Sequence, residues 1–200
     1  TWSGTTWTDY SRSTSTYDSN HNQIGQVSQS WSGTAWVNDY KYTYSYDANN
    51  NLTQQISQNW DGAIWVNSSK VDITYNANKD FLSYIFQNWD VSAWKNDSRY
   101  SFTYNANNDM TEYIYQRWDI TVWKNSQKYS YVYNTNHDPI EYLRQTWDVS
   151  IWKNDSKSTL TYDSNNNNIG ELYQNWDGAT WVNSSKYTYT YSAAATITLT

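Results

Sequence analysis

The stretch that decides the fold is L-T-Q-Q-I-S-Q-N-W-D-G-A-I-W-V-N-S-S-K-V-D-I-T-Y, from Leu52 to Tyr75. Along residues 65–75, one set of side chains, which includes Trp65 and Tyr75, alternates with a second set, which includes Lys70. This alternation is typical of a strand with two different faces. A second strand is predicted from about Leu52 to Trp60, and D-G-A-I between them has the residue types of a tight turn. These residues therefore predict a β-hairpin with strands of about ten residues.

The same hairpin recurs along the chain with a period of 29 residues. All 14 tryptophans fall in pairs that are five residues apart, and each pair opens a new repeat. The repeats start at Trp2, Trp31, Trp60, Trp89, Trp118, Trp147 and Trp176. Periods of this length indicate arrays in which each repeat is stabilised by its neighbours. We therefore expect a tandem repeat array over residues 1–191 and a cap or transition segment at 192–200, where the repeat breaks.

Two strands in each repeat predict an all-β chain, a single antiparallel meander of about 14 strands without helices. Keeping the apolar positions of adjacent strands on one face places Trp60 opposite Trp65 and Tyr42 opposite Ile56. Tyr46 should lie opposite Leu52. The structural ladder predicted on this face consists of Trp60, Trp65, Gln58, Asn67, Tyr75, Trp89, Trp94, Gln87, Asn96 and Tyr104. The bases ten residues after each leading Trp, such as Lys70, are assigned to solubility and to blocking of strand edges.

A one-layer sheet that exposed rows of Trp and Tyr would be a very large interaction patch, so we expect these rows to be covered. Unequal turn lengths shift the register in every repeat, and this shift, with the normal twist of strands, coils a sheet. The sequence therefore predicts a tube, shell or superhelical ribbon with the Trp/Tyr face inside. Face-to-face pairing of two sheets or two chains would bury the same rows.

Composition excludes several classes of partner. The formal net charge of −6 argues against nucleic acid, because binding to phosphates needs clustered cationic surface. No apolar run approaches the length of a membrane helix, so membrane insertion is not expected. The chain has no cysteine for a disulfide or a thiolate metal site, and no cofactor is predicted.

The segment Y-T-Y-S-Y-D-A-N-N-N-L-T, Tyr42–Thr53, resembles the YD repeat of Rhs-type proteins, whose units carry Y-D-x-x-G-x-L. The whole repeat is also similar in style to Asn- and Trp-rich repeats of secreted Bacteroidota surface proteins. These resemblances imply a secreted or surface-exposed bacterial protein whose hairpins form a shell or a stalk. Asn stands in place of the usual Gly, and Asn76, Asn105 and Asn134 replace the Asp, so a toxin-encapsulating role is not carried over.

Candidate sites are few. Asp47, Asn49 and Asn51 are spaced like the opening of a calcium loop, but the following Gly and the distal Glu are missing, which favours a turn with at most weak Ca²⁺ binding. The three glutamates, Glu112, Glu141 and Glu171, are predicted on a solvated strand face and do not form an acidic pair. No catalytic set is predicted, and the chain is not expected to be an enzyme.

Two classes of function are consistent with this pattern. The first is an extracellular structural scaffold, a segment of an adhesin stalk, a fibre or a shell, which would associate with itself head to tail or laterally. The second is a multivalent carbohydrate-binding module that would bind cell-surface glycans through rows of Trp and Tyr. Both place the protein outside the cell or on its surface.

Overall fold

A computed structural model describes residues 10–191, which form a single 13-stranded β-sheet and contain no helix. The strands are β1 (Ser11–Tyr17), β2 (Gln23–Trp31), β3 (Trp36–Tyr46), β4 (Leu52–Trp60), β5 (Trp65–Tyr75), β6 (Phe81–Asp90), β7 (Ala93–Tyr104), β8 (Met110–Asp119), β9 (Val122–Tyr133), β10 (Pro139–Asp148), β11 (Ile151–Tyr162), β12 (Asn168–Trp176) and β13 (Trp181–Thr188). Membrane-spanning helices are accordingly absent from this range.

The order of the strands in the sheet follows their order in the chain, and neighbouring strands pair antiparallel. The predicted all-β meander is thus confirmed, with 13 strands in the described range instead of about 14 in the whole chain. The first Trp pair, Trp2 and Trp7, and the predicted cap at 192–200 lie outside the described residues.

The chain divides into two compact units. The first unit ends at Ser101 and also contains Gln116–Lys124, and the second contains Phe102–Tyr115 and resumes at Asn125. Each unit contains copies of the repeat hairpin with the same β-bulges. The local geometry of one repeat therefore describes its equivalents in the same unit.

The register predicted at the tryptophan hairpin is confirmed. Trp60 pairs with Trp65 and Gln58 pairs with Asn67 in the first unit. In the second unit, Trp147 pairs with Trp152 in the same way. The register is fixed here because the tight turn leaves a single pairing that keeps both indoles on one face.

Two β-bulges in each repeat were not predicted. At one of them, Gln58 pairs with Asn67 but Ser57 pairs with Ser69, so Ser68 has no partner. At the other, the predicted pairing of Tyr46 with Leu52 is confirmed, but Thr53 is then skipped and Ser45 pairs with Gln54. A bulge inserts one residue into one strand of a pair. The predicted pairing of Tyr42 with Ile56 is therefore wrong by one residue, since Tyr42 pairs with Ser57 and Ile56 with Thr43.

The bulge at Ser68 places the tryptophans and the tyrosines of a repeat on opposite faces of the sheet. One extra residue in the strand reverses the alternation, so every side chain after it points to the face opposite the expected one. Trp65 precedes the bulge, and Lys70, which follows it, lies on the same face as Trp65. Ile73 and Tyr75 lie on the opposite face. The predicted single Trp/Tyr face is therefore wrong. We call the face that carries the Trp pairs and the bases the indole face. The opposite face carries the tyrosines, which alternate with the bases along the strands, and we call it the phenol face.

Burial shows how little of the sheet is covered. Within residues 10–191, Ile73, at 9% exposure, is the one apolar side chain that is buried, and Ser28, Ser98 and Ser158 are the buried polar ones. Most rings are half-buried by neighbours in their own sheet. The expected enclosure of the ring rows is therefore not found in the described part of the chain.

Candidate functional site

On the indole face, the two tryptophans of each repeat contact each other edge to face. The ring centroids of Trp60 and Trp65 are 5.1 Å apart with an interplanar angle of 64°, and those of Trp147 and Trp152 are 4.9 Å apart at 71°. This arrangement brings the positive edge of one ring to the negative face of the other. The same geometry occurs at Trp31/Trp36, Trp89/Trp94, Trp118/Trp123 and Trp176/Trp181.

Side-chain amides lie next to the tryptophan pairs. Gln58 Nε2 donates a hydrogen bond to Asn67 Oδ1 at 2.9 Å, across the strands that carry Trp60 and Trp65. Equivalent bonds join Gln29 to Asn38, Gln87 to Asn96, Gln145 to Asn154 and Gln174 to Asn183. These bonds satisfy polar groups that would otherwise be half-buried without partners.

Five of the bases that follow the leading tryptophans also lie on the indole face, and each of these five lies over a tryptophan of the next repeat. Lys70 Nζ is 5.4 Å from the centroid of the Trp94 ring, and the Arg99 guanidinium carbon is 4.8 Å from that of Trp123. Equivalent pairs are Arg12 with Trp36, Lys128 with Trp152 and Lys157 with Trp181. These distances are those of cation–π contacts. The sequence pattern did not predict this contact, by which the bases join neighbouring repeats.

On the phenol face, a tyrosine at the end of alternate strands closes each repeat. The Tyr75 hydroxyl donates a hydrogen bond to the Leu52 backbone oxygen at 2.8 Å. Tyr46, Tyr133, Tyr162 and Tyr191 donate to Gln23, Met110, Pro139 and Asn168 in the same way. Tyr104 occupies the same position at the end of β7. Of the predicted ladder, the structure therefore brings the Trp and amide residues of a hairpin together and places Tyr75 on the other face.

The candidate calcium ligands form a closed turn. Asp47 Oδ1 accepts hydrogen bonds from the backbone N–H groups of Asn49 and Asn51, at 2.8 and 2.9 Å. Asn51 Nδ2 donates to Asp47 Oδ2 at 2.9 Å, and this bond is the main cause that holds the pKa of Asp47 below its ordinary value. Both carboxylate oxygens already have N–H donors, which favours turn formation over Ca²⁺ binding. In residues 10–191, three or more His, Cys, Asp or Glu side chains nowhere cluster in an arrangement that could hold a metal ion.

The same turn exists in two mirror arrangements of charge. In some repeats an Asp opens the turn and an Asn closes it, whereas in others an Asn opens it and an Asp closes it. In Asn76–Asp80, Asn76 Oδ1 accepts the backbone hydrogen bonds and Asn76 Nδ2 donates to Asp80 Oδ2 at 3.0 Å. The pairs are Asp18/Asn22, Asp47/Asn51, Asn76/Asp80, Asn105/Asp109, Asn134/Asp138 and Asp163/Asn167. Every turn thus keeps one carboxylate bonded to one amide.

The turns between paired tryptophans have two forms. Asp61–Ile64 is a four-residue turn with Gly62 at a φ of 103°. In the shorter form, Ser92 N donates to Asp90 O at 2.5 Å around Val91, whose φ is 52° and whose side chain is 92% exposed. This bond closes a γ-turn with positive φ, which is strained for a β-branched residue. Ile120 and Val149 have the same geometry.

The second unit contains a cleft of ≈ 410 Å³ on its phenol face. Tyr131, Tyr142, Ser158 and Tyr173 lie opposite one another in a row across β9, β10, β11 and β12. Ser158 therefore forms the floor, with Tyr142 on one side and Tyr173 on the other. Ser158 itself is only 7% exposed.

Three charged residues line this cleft, and two of them, Arg144 and Glu171, have their side chains on the phenol face. Ser158 Oγ donates to Glu171 Oε1 at 2.7 Å, and the hydrogen bond between Tyr173 and Glu171 is the main cause that raises the pKa of Tyr173 to about 12. Arg144 Nη1 is 2.9 Å from Asp155 Oδ2, whereas Arg144 Nε is buried without a hydrogen-bond partner.

The structure corrects the grouping of the three glutamates, which the sequence placed on one solvated face. Glu171 lies one position later in its repeat than Glu112 and Glu141 do in theirs, so it points to the opposite face. Lys128 Nζ lies 3.8 Å from Glu112 Oε2 and Lys157 Nζ 3.9 Å from Glu141 Oε2, on the indole face. Glu171 lines the cleft instead. The offset of one residue is visible in the sequence, and it could have predicted that Glu171 lies on the other face from Glu112 and Glu141.

No family model matches the sequence, and none of the curated proteins does. Among solved structures, the chain is similar to DUF3836 family proteins from Bacteroides vulgatus and Parabacteroides distasonis. The first is 20% identical with a TM-score of 0.33 over 51% of this chain and 89% of that one, and the second is 19% identical with a TM-score of 0.37 over 46% and 90%. The structure of TcdB2-TccC3 is 13% identical with a TM-score of 0.42 over 79% of this chain and 9% of that one. With scores this low, these likenesses carry no functional information.

Proposed function

We propose that this chain is a structural repeat scaffold, a segment of a stalk, fibre or shell on the outside of a bacterial cell, without a catalytic role. The observation that carries the proposal is the contact of five bases with a tryptophan one repeat further on, as in Lys70 with Trp94 and Lys128 with Trp152. Such contacts couple each repeat to its neighbour, which is how repeat proteins gain stability. The resemblance of Tyr42–Thr53 to YD repeats supports a surface location.

The same contacts argue against the alternative of a multivalent glycan-binding module that uses the Trp rows. A sugar ring that binds an indole stacks on the flat face of that indole. In five repeats, a Lys or Arg already lies over the ring of the second Trp, as Arg12 does at 4.5 Å from the centroid of Trp36. The first Trp of each pair contacts the second ring edge to face. The rows are therefore occupied by contacts within the chain.

Association of the scaffold with itself is proposed through its strand edges. Within residues 10–191, β1 and β13 each have a neighbour on one side only. The free edge of such a strand presents backbone N–H and C=O groups to another chain. Sedimentation velocity over a range of protein concentrations tests this, since edge pairing predicts open-ended oligomers and a constant monomer would exclude it.

Deletion of residues 60–88, one whole repeat, tests the scaffold role. The deletion joins Asn59 to Trp89 and restores the same spacing, so the variant should fold and should lose stability in proportion to the repeats removed. Urea unfolding of the full chain and the deletion variant measures this. A deletion variant that fails to fold would contradict nearest-neighbour stability.

Replacement of Trp65 by Ala, followed by hydrogen exchange, tests the same coupling within the full chain. Protection should fall in β4, β5 and β6 and persist in β10–β12, because the lost contacts reach only to neighbouring repeats. Equal loss of protection in all strands would contradict the proposal. Antibody labelling of intact source cells tests the location, and a signal that needs permeabilised cells would exclude the surface.

A further inference from the structure

One ring is missing from the row of tyrosines on the phenol face of the second unit. Ser158 occupies a repeat position that holds a tyrosine in four other repeats, at Tyr42, Tyr100, Tyr129 and Tyr187. Its cross-strand partners, Tyr142 and Tyr173, keep their rings. The small side chain therefore opens a gap between two phenols, and the repeat fold does not require this gap because four other repeats fill the position with a tyrosine.

Two further departures from the repeat border the same gap. Arg144 stands where other repeats have Ser28, Ser57, Phe86, Tyr115 or Tyr173. Glu171 stands where they have Gln26, Gln55, Tyr84, Tyr113 or Tyr142. The charged residues lie on β10 and β12, one on each side of the β11 floor. The other repeats fold with uncharged residues at both positions, so the fold does not require a charge at either of them.

The dimensions and chemistry of the gap indicate what would fill it. Two strand spacings, roughly 10 Å, separate β10 from β12, which leaves room for one six-membered ring. The volume of ≈ 410 Å³ lies in the range of small-molecule sites, and aromatic walls with a few polar groups are typical of such sites. Arg144 supplies N–H donors and Glu171 supplies acceptors.

We propose that this cleft binds one pyranose residue of a neutral carbohydrate, with its C–H face against Tyr142 or Tyr173 and its hydroxyl groups between Arg144 and Glu171. A hydroxyl group donates and accepts, so a sugar can accept hydrogen bonds from the terminal N–H groups of Arg144 and donate to the carboxylate of Glu171. The carboxylates of Glu171 and Asp155 oppose an anion, and Arg144 opposes a cation. This inference does not depend on the scaffold role.

Titration calorimetry of the full chain with cellohexaose, maltohexaose, mannohexaose and xylohexaose tests the proposal. We expect saturable binding of at least one of them with a stoichiometry of one per chain. Parallel titrations with glucose, mannose and xylose distinguish the source of the ligand: binding of the monosaccharide supports a free sugar, and binding of the oligosaccharide alone supports a glycan chain. No heat with any of these sugars, or binding of tetramethylammonium in their place, would overturn the proposal.

Matched variants locate the site. Ser158→Tyr restores the ring of the other repeats and should raise the Kd at least about tenfold, because the phenol fills the gap. Glu171→Gln restores the residue of the first repeats and should also weaken binding. Val71→Tyr makes the equivalent change in the first unit and should leave the Kd unchanged, and circular dichroism should show that all three variants fold. Undiminished binding by Ser158→Tyr, or equal losses in Ser158→Tyr and Val71→Tyr, would overturn the proposal.

Discussion

Arg99 and Trp123 belong to successive repeats, and the guanidinium carbon of Arg99 lies 4.8 Å from the centroid of the Trp123 ring. The guanidinium also donates to Gln116 Oε1 from Nε at 2.8 Å and from Nη2 at 2.6 Å. Through these contacts, the Arg99 side chain bonds to two adjacent strands of the first unit, β8 and β9. The coupling between repeats is therefore concentrated in a few charged groups on a face built mainly of rings and amides.

Removal of this group should destabilise the first unit. Arg99→Ala loses a cation–π contact and two hydrogen bonds to a part-buried amide, and we expect a loss of about 2 kcal/mol in the free energy of unfolding. Urea denaturation measures the loss. Arg99→Lys is the control and should retain part of the stability, because Lys70 makes a similar contact with Trp94. Equal stabilities of the wild type and Arg99→Ala would show that the contact is passive.

The mirrored turns predict a rescue by exchange. Asp47→Asn removes the carboxylate from the turn and should lower the Tm, because an anionic acceptor of three hydrogen bonds is lost. The double variant Asp47→Asn with Asn51→Asp should restore the Tm, since it reproduces the arrangement of Asn76 and Asp80. Calorimetric melting of the three proteins checks this. If the double variant were no more stable than Asp47→Asn, the stability of the turn would depend on the position of the carboxylate and not on the presence of one carboxylate and one amide.

Acid should weaken the same turns. Hydrogen bonds from Asn residues lower the pKa values of Asp18, Asp47, Asp109 and Asp163 below the ordinary 3.8. A carboxyl whose pKa is lower when folded contributes stability that is complete above its unfolded pKa and is lost as pH falls through its folded pKa. The Tm should therefore be nearly constant from about pH 7 to pH 5 and decline below about pH 4. Asp47→Asn should show a smaller decline, and an identical one would contradict this origin.

Relief of strain at an exposed turn should stabilise the protein. Val91→Gly removes a β-branched side chain from positive φ and sacrifices almost no packing, because Val91 is 92% exposed. The free energy of unfolding should rise by about 1 kcal/mol. This value allows for the conformational entropy that glycine adds to the unfolded chain. Chemical denaturation measures it. Val122→Gly, in the extended strand β9, is the control and should destabilise; a neutral or harmful Val91→Gly would show that no strain is present.

The sequence was sufficient to predict the strand bounds of β4 and β5 and the pairing of Trp60 with Trp65, because tight turns and recurrent indoles leave one register. It was not sufficient to predict the faces. The bulges at Ser68 and Thr53 carry no glycine or proline, so spacing alone continued the alternation through them. The tyrosines were therefore assigned to the face of the tryptophans, which is the wrong one.

The cleft was missed for a related reason. The alternation of large and small residues does not single out Ser158, although Tyr129 occupies the same position in the preceding repeat. Its lining also depends on which side chains share a face, and this depends on the bulges. A comparison of each repeat with the others, position by position, would have singled out Ser158, Arg144 and Glu171.

Five bases contact a tryptophan 24 residues further on, as Lys157 contacts Trp181. The contact depends only on this spacing, so the insertion or removal of one whole 29-residue repeat would leave the spacing between each such base and its tryptophan unchanged. An array built in this way can therefore be longer or shorter by whole repeats while the geometry of each hairpin stays the same.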